Sequence, residues 1–474
     1  FTWTGATSND WNVATNWDQG EVPNVDSIVV IPADKKVIIS GDFTHSGTIT
    51  NNGELTFGEN AGPGQTVTDV YTFTNNGTIT NSGKLKVNGN LTNNPDATIA
   101  NIGKLEVGLE AGPGGGTVQT CTFMNSGSLQ NAQNTSNETG VIKIKGTFDN
   151  TTDGTVRNFG KITLNSDFDL NKGTYTEVGI LSFEGKKDSI PTIEFTPKAD
   201  TTLMQIEAKN VQLKIKGNAN ISNFINDNAI LEIPTGSNVT IQNYSQFIPT
   251  GGPEDDQPRE KNDLIIHEGA TLSIESYGAT SGKINIKEGA TLEITTEGET
   301  SVPELIVEKT ADENDFATIS TNGNLTISNA TYNNADIKTK GNITLPETTV
   351  TTKEIGNLNV ASGTTSIETI NANSISVETS ASLEVSSSIT SQSIANNGSI
   401  NGLASVSTKG LENSGVIEIE GNFTCDGGVN SSGTLKAKEI VLGNSSTEDT
   451  VTIGKKENDV ISGSLSGEKI TFYG

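Results

Sequence analysis

One short phrase, Asn-x-Gly followed by a strand-like run, recurs along this chain. A chain that repeats one turn in this way stacks near-identical layers, because each layer buries its apolar side only against its neighbours. Gly and Asn are expected at the corners of such layers, since both tolerate left-handed backbone conformations. The phrase begins at Asn51, Asn75, Asn81, Asn101, Asn125, Asn396 and Asn413.

Internal alignments give the length of the repeat. Residues 48–81 align without gaps on residues 98–131, which is a period of 50. Farther on, Glu-Gly-Ala-Thr-Leu at 268–272 returns 20 residues later, and Gly-Asn-Leu-Thr at 323–326 returns in similar form 18 residues later. A coil of roughly 18 to 22 residues with two or three short strands is typical of a parallel β-helix. The period of 50 then predicts two coils plus one protruding loop.

The composition agrees with strands in place of a globular core. Hydrophobic residues make up only 32% of the chain, a fraction that would suggest disorder if they were scattered. They alternate with polar residues instead, as in Lys143-Ile144-Lys145 and in residues 271–275, and period-two alternation predicts strands. We therefore expect an all-β fold, a single-stranded, right-handed parallel β-helix (β-solenoid) with an N-terminal Trp-rich cap.

All three tryptophans, Trp3, Trp11 and Trp17, lie in the first 32 residues. Clustered indoles form either a platform that stacks on carbohydrate or a plug over the open end of a solenoid, which otherwise exposes core and unpaired strand edge. We favour the plug. The predicted organisation is an N-terminal Trp-rich capping module at 1–32 and a β-helix with inserted loops at 33–474.

The charge balance excludes several partners. The chain carries 57 acidic and 30 basic residues, a net charge of −27, and only Arg157 and Arg259 are arginines. Nucleic-acid binding needs a surface that neutralises phosphates, so no nucleic-acid partner is expected. No run of 18 apolar residues occurs, so no membrane insertion is expected. We predict a monomer. We also expect no disulfide, because Cys121 and Cys425 would lie in distant coils.

The titratable residues offer no obvious catalytic set. His45 and His267 are more than 200 residues apart, and each is expected to be an exposed coil residue. Glu275 and Glu293 occupy outward positions of alternating strands and are interpreted as solvated side chains. We predict no catalytic residue and no cofactor.

A metal site stays an open question. Glu254, Asp255 and Asp256 place three carboxylates together, whereas a calcium ion takes six to eight oxygen ligands. Neither an EF-hand loop nor a glycine-aspartate nonapeptide array is present.

The opening segment also carries a family resemblance. Trp-Thr-Gly-Ala-Thr-Ser-Asn-Asp-Trp at 3–11, then Asn16-Trp17, Gly20 and Pro23, followed by Asn-x-Gly repeats, resemble bacterial surface proteins of the filamentous-haemagglutinin-like and autotransporter-adhesin kind. The resemblance implies a secreted or surface-tethered right-handed β-helix that acts in attachment or as a stalk. It transfers no ligand residue, because the matching positions are turns and caps.

The function expected from these features is adhesion or structural display, without catalysis, by a secreted or cell-surface bacterial protein. A host or matrix glycan or protein would bind to loops on the rod, since loops on rigid scaffolds carry binding. The alternative is a polysaccharide lyase or glycoside hydrolase, because parallel β-helices also host those enzymes. The predicted loops lie at 59–70, 109–120, 131–139 and 249–263.

Overall fold

The computed structural model divides into two compact units, Phe1–Ala229 and Ile230–Gly474. The predicted boundary between residues 32 and 33 stays a prediction. The structure describes residues 1–58, 70–109, 119–132, 140–186, 190–246, 262–278, 281–287, 289–296, 299–308, 317–331, 335–339, 343–344, 354–360, 363–443, 451–453, 455–457, 460–462 and 464–472.

The described part of the first unit consists of short strands and one 3-10 turn at Ala14–Asn16. The strands are β1 (Ile28–Ile31), β2 (Lys36–Ile39), β3 (Phe43–His45), β4 (Thr48–Asn51), β5 (Glu54–Phe57), β6 (Tyr71–Asn75), β7 (Thr78–Asn81), β8 (Lys84–Val87), β9 (Gly89–Asn93), β10 (Thr98–Asn101), β11 (Lys104–Val107), β12 (Cys121–Asn125), β13 (Ser128–Asn131), β14 (Val141–Ile144), β15 (Gly146–Asn150), β16 (Thr155–Asn158), β17 (Lys161–Leu164), β18 (Phe168–Asp169), β19 (Thr174–Glu177), β20 (Ile180–Glu184), β21 (Thr192–Thr196), β22 (Thr202–Lys209), β23 (Gln212–Ile215) and β24 (Asn218–Asp227).

Three consecutive strands make one coil, and each strand pairs in parallel with the equivalent strand of the next coil. The first sheet runs β1-β4-β7-β10-β13-β16-β19, and the third runs β3-β6-β9-β12-β15. In the second sheet each strand pairs with the next in the order β2-β5-β8-β11-β14-β17-β20. Toward the end of the unit the strands lengthen, and β20 pairs with β22 and β22 with β24. This arrangement confirms the predicted parallel β-helix.

The period of 50 is the sum of a long coil and a short one. Thr48 pairs with Thr78, thirty residues on, and Thr78 pairs with Thr98, twenty residues on. The extra residues of the long coil lie between β5 and β6. The prediction of two coils is confirmed, and the loop predicted within the long coil lies outside the described residues.

The core is a column of aliphatic side chains in register. Ile49, Ile79, Ile99 and Leu129 stack on successive strands of the first sheet, and none of them is exposed to solvent. Full burial of one such side chain contributes about 1.5 to 3 kcal/mol, and the second sheet adds two buried apolar residues per strand, such as Leu85 and Val87 of β8. This explains how a chain with 32% hydrophobic residues keeps an ordered interior.

The asparagines of the Asn-x-Gly phrases face inward and form two amide ladders in this unit. Each Nδ2 donates to the Oδ1 of the asparagine one coil on, so that buried polar groups are satisfied by one another. The first ladder joins Asn51, Asn81, Asn101, Asn131 and Asn158 at 2.7 to 2.8 Å. The second joins Asn75, Asn93, Asn125 and Asn150 at 2.8 Å.

The glycines of these phrases are required for a reason other than the one expected. Gly77 and Gly83 do not adopt positive φ angles, so left-handed conformation is not what selects them. A Cβ on Gly77 would lie 2.1 Å from the carbonyl oxygen of Gly47 in the previous coil. A Cβ on Gly83 would lie 2.1 Å from the oxygen of Gly53. Close approach of stacked backbones, and not the φ angle, therefore excludes a side chain.

The Trp-rich segment closes the N-terminal end of the first unit. Trp3, Trp11 and Trp17 are 1%, 1% and 2% exposed, and Trp17 stands edge-on to both other rings at 4.8 and 4.7 Å. Parallel bridges from Thr2 to Val30 and from Asp10 to Ile38 cover the edges of the first coil. The buried indoles present no surface to a ligand, so the carbohydrate-stacking interpretation is wrong and the cap is confirmed.

The second unit is built of the same kind of strand. Its strands are β25 (Ile230–Ile233), β26 (Asn238–Gln246), β27 (Asp263–Ile266), β28 (Thr271–Gly278), β29 (Lys283–Lys287), β30 (Thr291–Ile294), β31 (Glu299–Glu308), β32 (Ala317–Thr321), β33 (Asn324–Thr331), β34 (Ala335–Thr339), β35 (Ile343–Thr344), β36 (Glu354–Val360), β37 (Gly363–Val377), β38 (Ala381–Asn396), β39 (Ser399–Gly402), β40 (Ser405–Thr408), β41 (Leu411–Asn413), β42 (Val416–Ile419), β43 (Phe423–Cys425), β44 (Val429–Ser431), β45 (Thr434–Lys436), β46 (Glu439–Leu442), β47 (Val451–Ile453), β48 (Lys455–Glu457), β49 (Val460–Ser462), β50 (Ser464–Ser466) and β51 (Lys469–Phe472).

Parallel pairing continues through the second unit. Leu272 pairs with Leu292, which confirms the spacing of 20, and Leu325 pairs with Ile343, which confirms the spacing of 18. A short asparagine ladder returns where Asn396 Nδ2 donates to Asn413 Oδ1 at 2.8 Å. The described strands include one antiparallel pair, β48 with β49.

Candidate binding site

The four predicted binding loops fall mostly outside the described residues. The structure does not describe the loop residues at 59–69, 110–118, 133–139 and 247–261. The third predicted range also begins too early, because Asn131 is a buried rung of the first asparagine ladder at the end of β13.

The feet of the second predicted loop line a cleft of about 680 Å³ in the first unit. Its floor is held by two hydrogen bonds to Gly146. The Gly146 N–H donates to Asn165 Oδ1 at 2.8 Å, and Ser166 Oγ donates to the Gly146 carbonyl at 2.7 Å. The volume lies within the range typical of ligand sites. The side chains around the cleft are mainly polar, and they include Gln119, Thr120, Lys143, Lys145, Glu184 and Lys186.

Lysines cluster on the outer surface of the second sheet next to this cleft. In the second sheet, inward positions of each strand are buried aliphatics, so alternate residues point outward. We call the cluster the lysine face. It comprises Lys84 and Lys86 of β8, Lys104 of β11, Lys143 and Lys145 at β14, and Lys161 of β17.

The register brings these lysines together from distant parts of the sequence. Lys84 lies beside Lys104, and Glu106 lies between Lys86 and Lys143. Parallel strands are about 4.8 Å apart, so ladder neighbours on this face lie within mutual electrostatic range. Lys143 and Lys145 also line the cleft, which makes the cleft and the lysine face one continuous surface.

Carboxylates pair with lysines of this face. These pairs are at or near the surface, where each is worth up to about 1 kcal/mol. The ion pairs include Lys84–Glu54 at 4.0 Å, Lys104–Glu106 at 2.7 Å, Lys143–Glu184 at 2.9 Å and Lys161–Glu207 at 2.5 Å.

Glu106 reports the sign of the local field. Burial disfavours the charged form of its carboxylate, but the hydrogen bond and charge of Lys104, with the charges of Lys145 and Lys84, outweigh burial and hold the pKa of Glu106 below its usual range. Three lysines therefore stabilise the charged form of this one carboxylate.

The other two faces of the same coils are almost uncharged. In strands β1 to β16, the first sheet contains one charged residue, Arg157, and the third sheet contains one acidic residue, Asp149. Their outward positions are mainly Thr, Ser and Asn. The lysines are thus sorted onto one of three faces. Sequence reasoning missed this, although Lys84-Leu85-Lys86 and Lys143-Ile144-Lys145 were visible signals.

His45 is buried, which corrects the expectation that it is exposed. It lies at 0% exposure opposite Asn75, at the position where one more rung would extend the second asparagine ladder. Both ring nitrogens lack a hydrogen-bond partner of ordinary geometry. Burial lowers the pKa of His45, and the nearby backbone of Thr48 and the charge of Asp26 offset this only in part.

A pH-dependent stability follows from this position. Because the folded pKa lies below that of the unfolded chain, near 6.5, the unfolded state takes up a proton first as pH falls. We expect the free energy of unfolding to fall below pH 6.5, by up to about 1.4 kcal/mol per pH unit between the two pKa values. His45→Asn should remove this component and extend the ladder. Urea unfolding at pH 7.5 and 5.5 measures it, and an equal pH effect in both proteins would contradict the assignment.

His267 and the two outward glutamates are closer to the predicted solvent exposure than His45 is. The His267 side chain is 35% exposed, and its Nε2 lies 2.8 Å from Glu232 Oε1, a largely buried carboxylate. Glu275 is exposed, and Glu293 is half-buried and accepts a hydrogen bond from Ser273 Oγ at 2.7 Å. The two glutamates occupy outward strand positions, as predicted.

Among the described residues, no group of three or more His, Cys, Asp and Glu side chains is placed to hold a metal ion. The acidic run at 254–256 lies outside the described residues.

Cys121 and Cys425 are both buried, free thiols. In the part of the chain that the structure describes, no helix is long and apolar enough to cross a membrane.

Comparison with known proteins gives one match. A family model described as "Domain of unknown function (DUF8693)" matches residues 2–114, which span the cap and the coils through β11. The matched segment includes Lys84, Lys86 and Lys104 of the lysine face. No curated protein and no solved structure matches the chain.

Proposed function

We propose that this chain is a non-enzymatic bacterial protein, secreted or displayed at the cell surface, that acts in adhesion or structural display. The lysine face and its adjoining cleft are the observation that carries the proposal. They stand on strands whose backbones are hydrogen-bonded to coils on both sides, so the binding groups are held on a rigid support.

Charge and composition support the same proposal. A net charge of −27 with two arginines disfavours nucleic acid as the partner. A host or matrix glycan, or a protein, is the proposed ligand class, and a monomer is the proposed state. The resemblance of the opening segment to bacterial surface adhesins supports a location outside the cell.

A glycan-cleaving enzyme is the competing proposal, and the cleft is what favours it. Glycoside hydrolases use two carboxyl groups on opposite sides of the scissile bond. Glu184 is the carboxylate among the described residues that line the cleft, and it is paired with Lys143 at 2.9 Å. An enzyme at this place would need Glu184 to act, so Glu184→Gln would abolish any turnover.

Binding and cleavage can be separated in one experiment. The purified full-length chain is applied to an array of glycans and matrix proteins, and the same glycans are assayed in solution for released reducing sugar. We expect binding without release, with a heat-unfolded sample as the control. Release that is lost in Glu184→Gln would support the enzyme instead, and failure to bind any ligand class would overturn the adhesive proposal.

A further inference from the structure

We propose that the lysine face binds a linear anionic polysaccharide, which lies across the strands along the stacking direction of the coils and enters the adjoining cleft. This inference rests on the proposed function and names the ligand class of the same site. Its occupant is a polymer of sugars that carry carboxylate or sulfate groups.

The spacing of the lysines points to a polymer. Lys84, Lys104 and Lys161 belong to one column of the second sheet, with Val141 between the last two. Lys86 and Lys143 belong to the neighbouring column, on either side of Glu106. Strand spacing sets Lys84 and Lys104 about 4.8 Å apart, and Lys104 and Lys161 about twice that far apart. Cations spread over four coils complement a chain with repeated acidic groups better than they complement a small ligand.

Like charges on the lysine face favour an anionic partner. Lys84 and Lys104 occupy directly paired positions, and each also contacts one carboxylate, Glu54 at 4.0 Å and Glu106 at 2.7 Å. Lys104, Lys145 and Lys84 all stabilise the charged form of Glu106, so one carboxylate is already accommodated on this face. Carboxylate or sulfate groups laid along the face would replace this repulsion with attraction, so binding would raise the stability of the first unit.

The chemistry of the surface favours a polysaccharide over a nucleic acid. The described cleft lining contains no aromatic ring on which a base could stack. It contains Thr163, Asn165 and Ser166, whose hydroxyl and amide groups suit sugar hydroxyls.

The test compares polymers and matched variants. The full-length chain is titrated with dextran sulfate, polygalacturonate, neutral dextran and single-stranded DNA of similar length. The binding variant replaces Lys84, Lys86 and Lys104 with Gln. The control variant replaces Lys35, Lys172 and Lys198 with Gln, which changes the net charge equally away from the lysine face. Circular dichroism and thermal melting establish that both variants fold.

We expect at least one anionic polysaccharide to bind and neutral dextran not to bind. Affinity should fall roughly tenfold or more in the binding variant, stay within about twofold in the control variant, and weaken with added salt. Equal affinity in the two variants would overturn the proposal, as would tighter binding of DNA than of any polysaccharide. Binding of other array ligands without polyanion binding would overturn this inference and leave the proposed function standing. No binding at all would overturn both.

Discussion

Replacing Asn75 with aspartate is expected to destabilise the first unit by about 3 to 5 kcal/mol at neutral pH, the usual range when a buried charge is left unpaired. Asn75 is fully buried, and its Nδ2 donates to Asn93 Oδ1 at 2.8 Å and to the carbonyl of Thr98 at 3.2 Å. An aspartate places an anionic oxygen against these acceptors and supplies no donor.

The neighbouring residue is the matched control. Asn76 is exposed, and its Oδ1 accepts a hydrogen bond from Asn94 Nδ2 at 2.6 Å, which an aspartate retains. We expect Asn76→Asp to change stability by less than about 0.5 kcal/mol. Urea unfolding of both variants measures the difference. Equal effects at the two positions would show that the ladder does not stabilise the unit.

Replacing Gly415 with alanine is expected to destabilise the second unit by about 3 kcal/mol, because overpacking against backbone forces the coils apart. A Cβ on Gly415 would lie 2.1 Å from the carbonyl oxygen of Gly398. Gly410 is the control. It lies in the same stretch of chain, its φ angle is not positive, and a Cβ there would meet the Gln392 oxygen at an ordinary 3.7 Å. We expect Gly410→Ala to stay within about 1 kcal/mol. Thermal unfolding compares the two, and similar losses would refute steric selection of glycine between coils.

Much of the fold could be predicted because it is periodic. The alignment of residues 48–81 on 98–131 gave the pairing of β4 with β7 and β10 indirectly, since identical positions in successive coils must stack. The three tryptophans outside the repeat marked the cap. A repeat in the sequence fixes the register between strands of successive coils. The register then decides which residues stack on one another.

Backbone preferences alone could not predict that the asparagine side chains face the core, nor why glycine is required beside them. Asn and Gly are commonly selected for left-handed conformations, and the same residue types also suit stacked amides and close backbone approach. Asn81 and Gly83 are selected for the second pair of reasons. The burial of His45 follows from its alignment with Asn75, a pairing across 30 residues that includes an inserted segment.

The candidate site was hidden by inserted segments of unequal length. Lys104 pairs with Val141, 37 residues on, whereas Lys84 pairs with Lys104 only 20 residues on. No fixed period places Lys143 beside Glu106 in the sequence. The net charge of −27 also pointed away from a basic surface, because a total charge does not show that lysines are gathered on one sheet.

We propose that this β-helix binds a ligand on its lysine face without cleaving it. The most direct test is a binding isotherm with dextran sulfate or polygalacturonate of defined length. The recovered polymer is then sized. We expect saturable binding by the 474-residue chain, roughly tenfold or more weaker binding after Lys84, Lys86 and Lys104 are replaced by Gln, and unchanged polymer length. Shortened polymer, or binding that is indifferent to the three lysines, would contradict it.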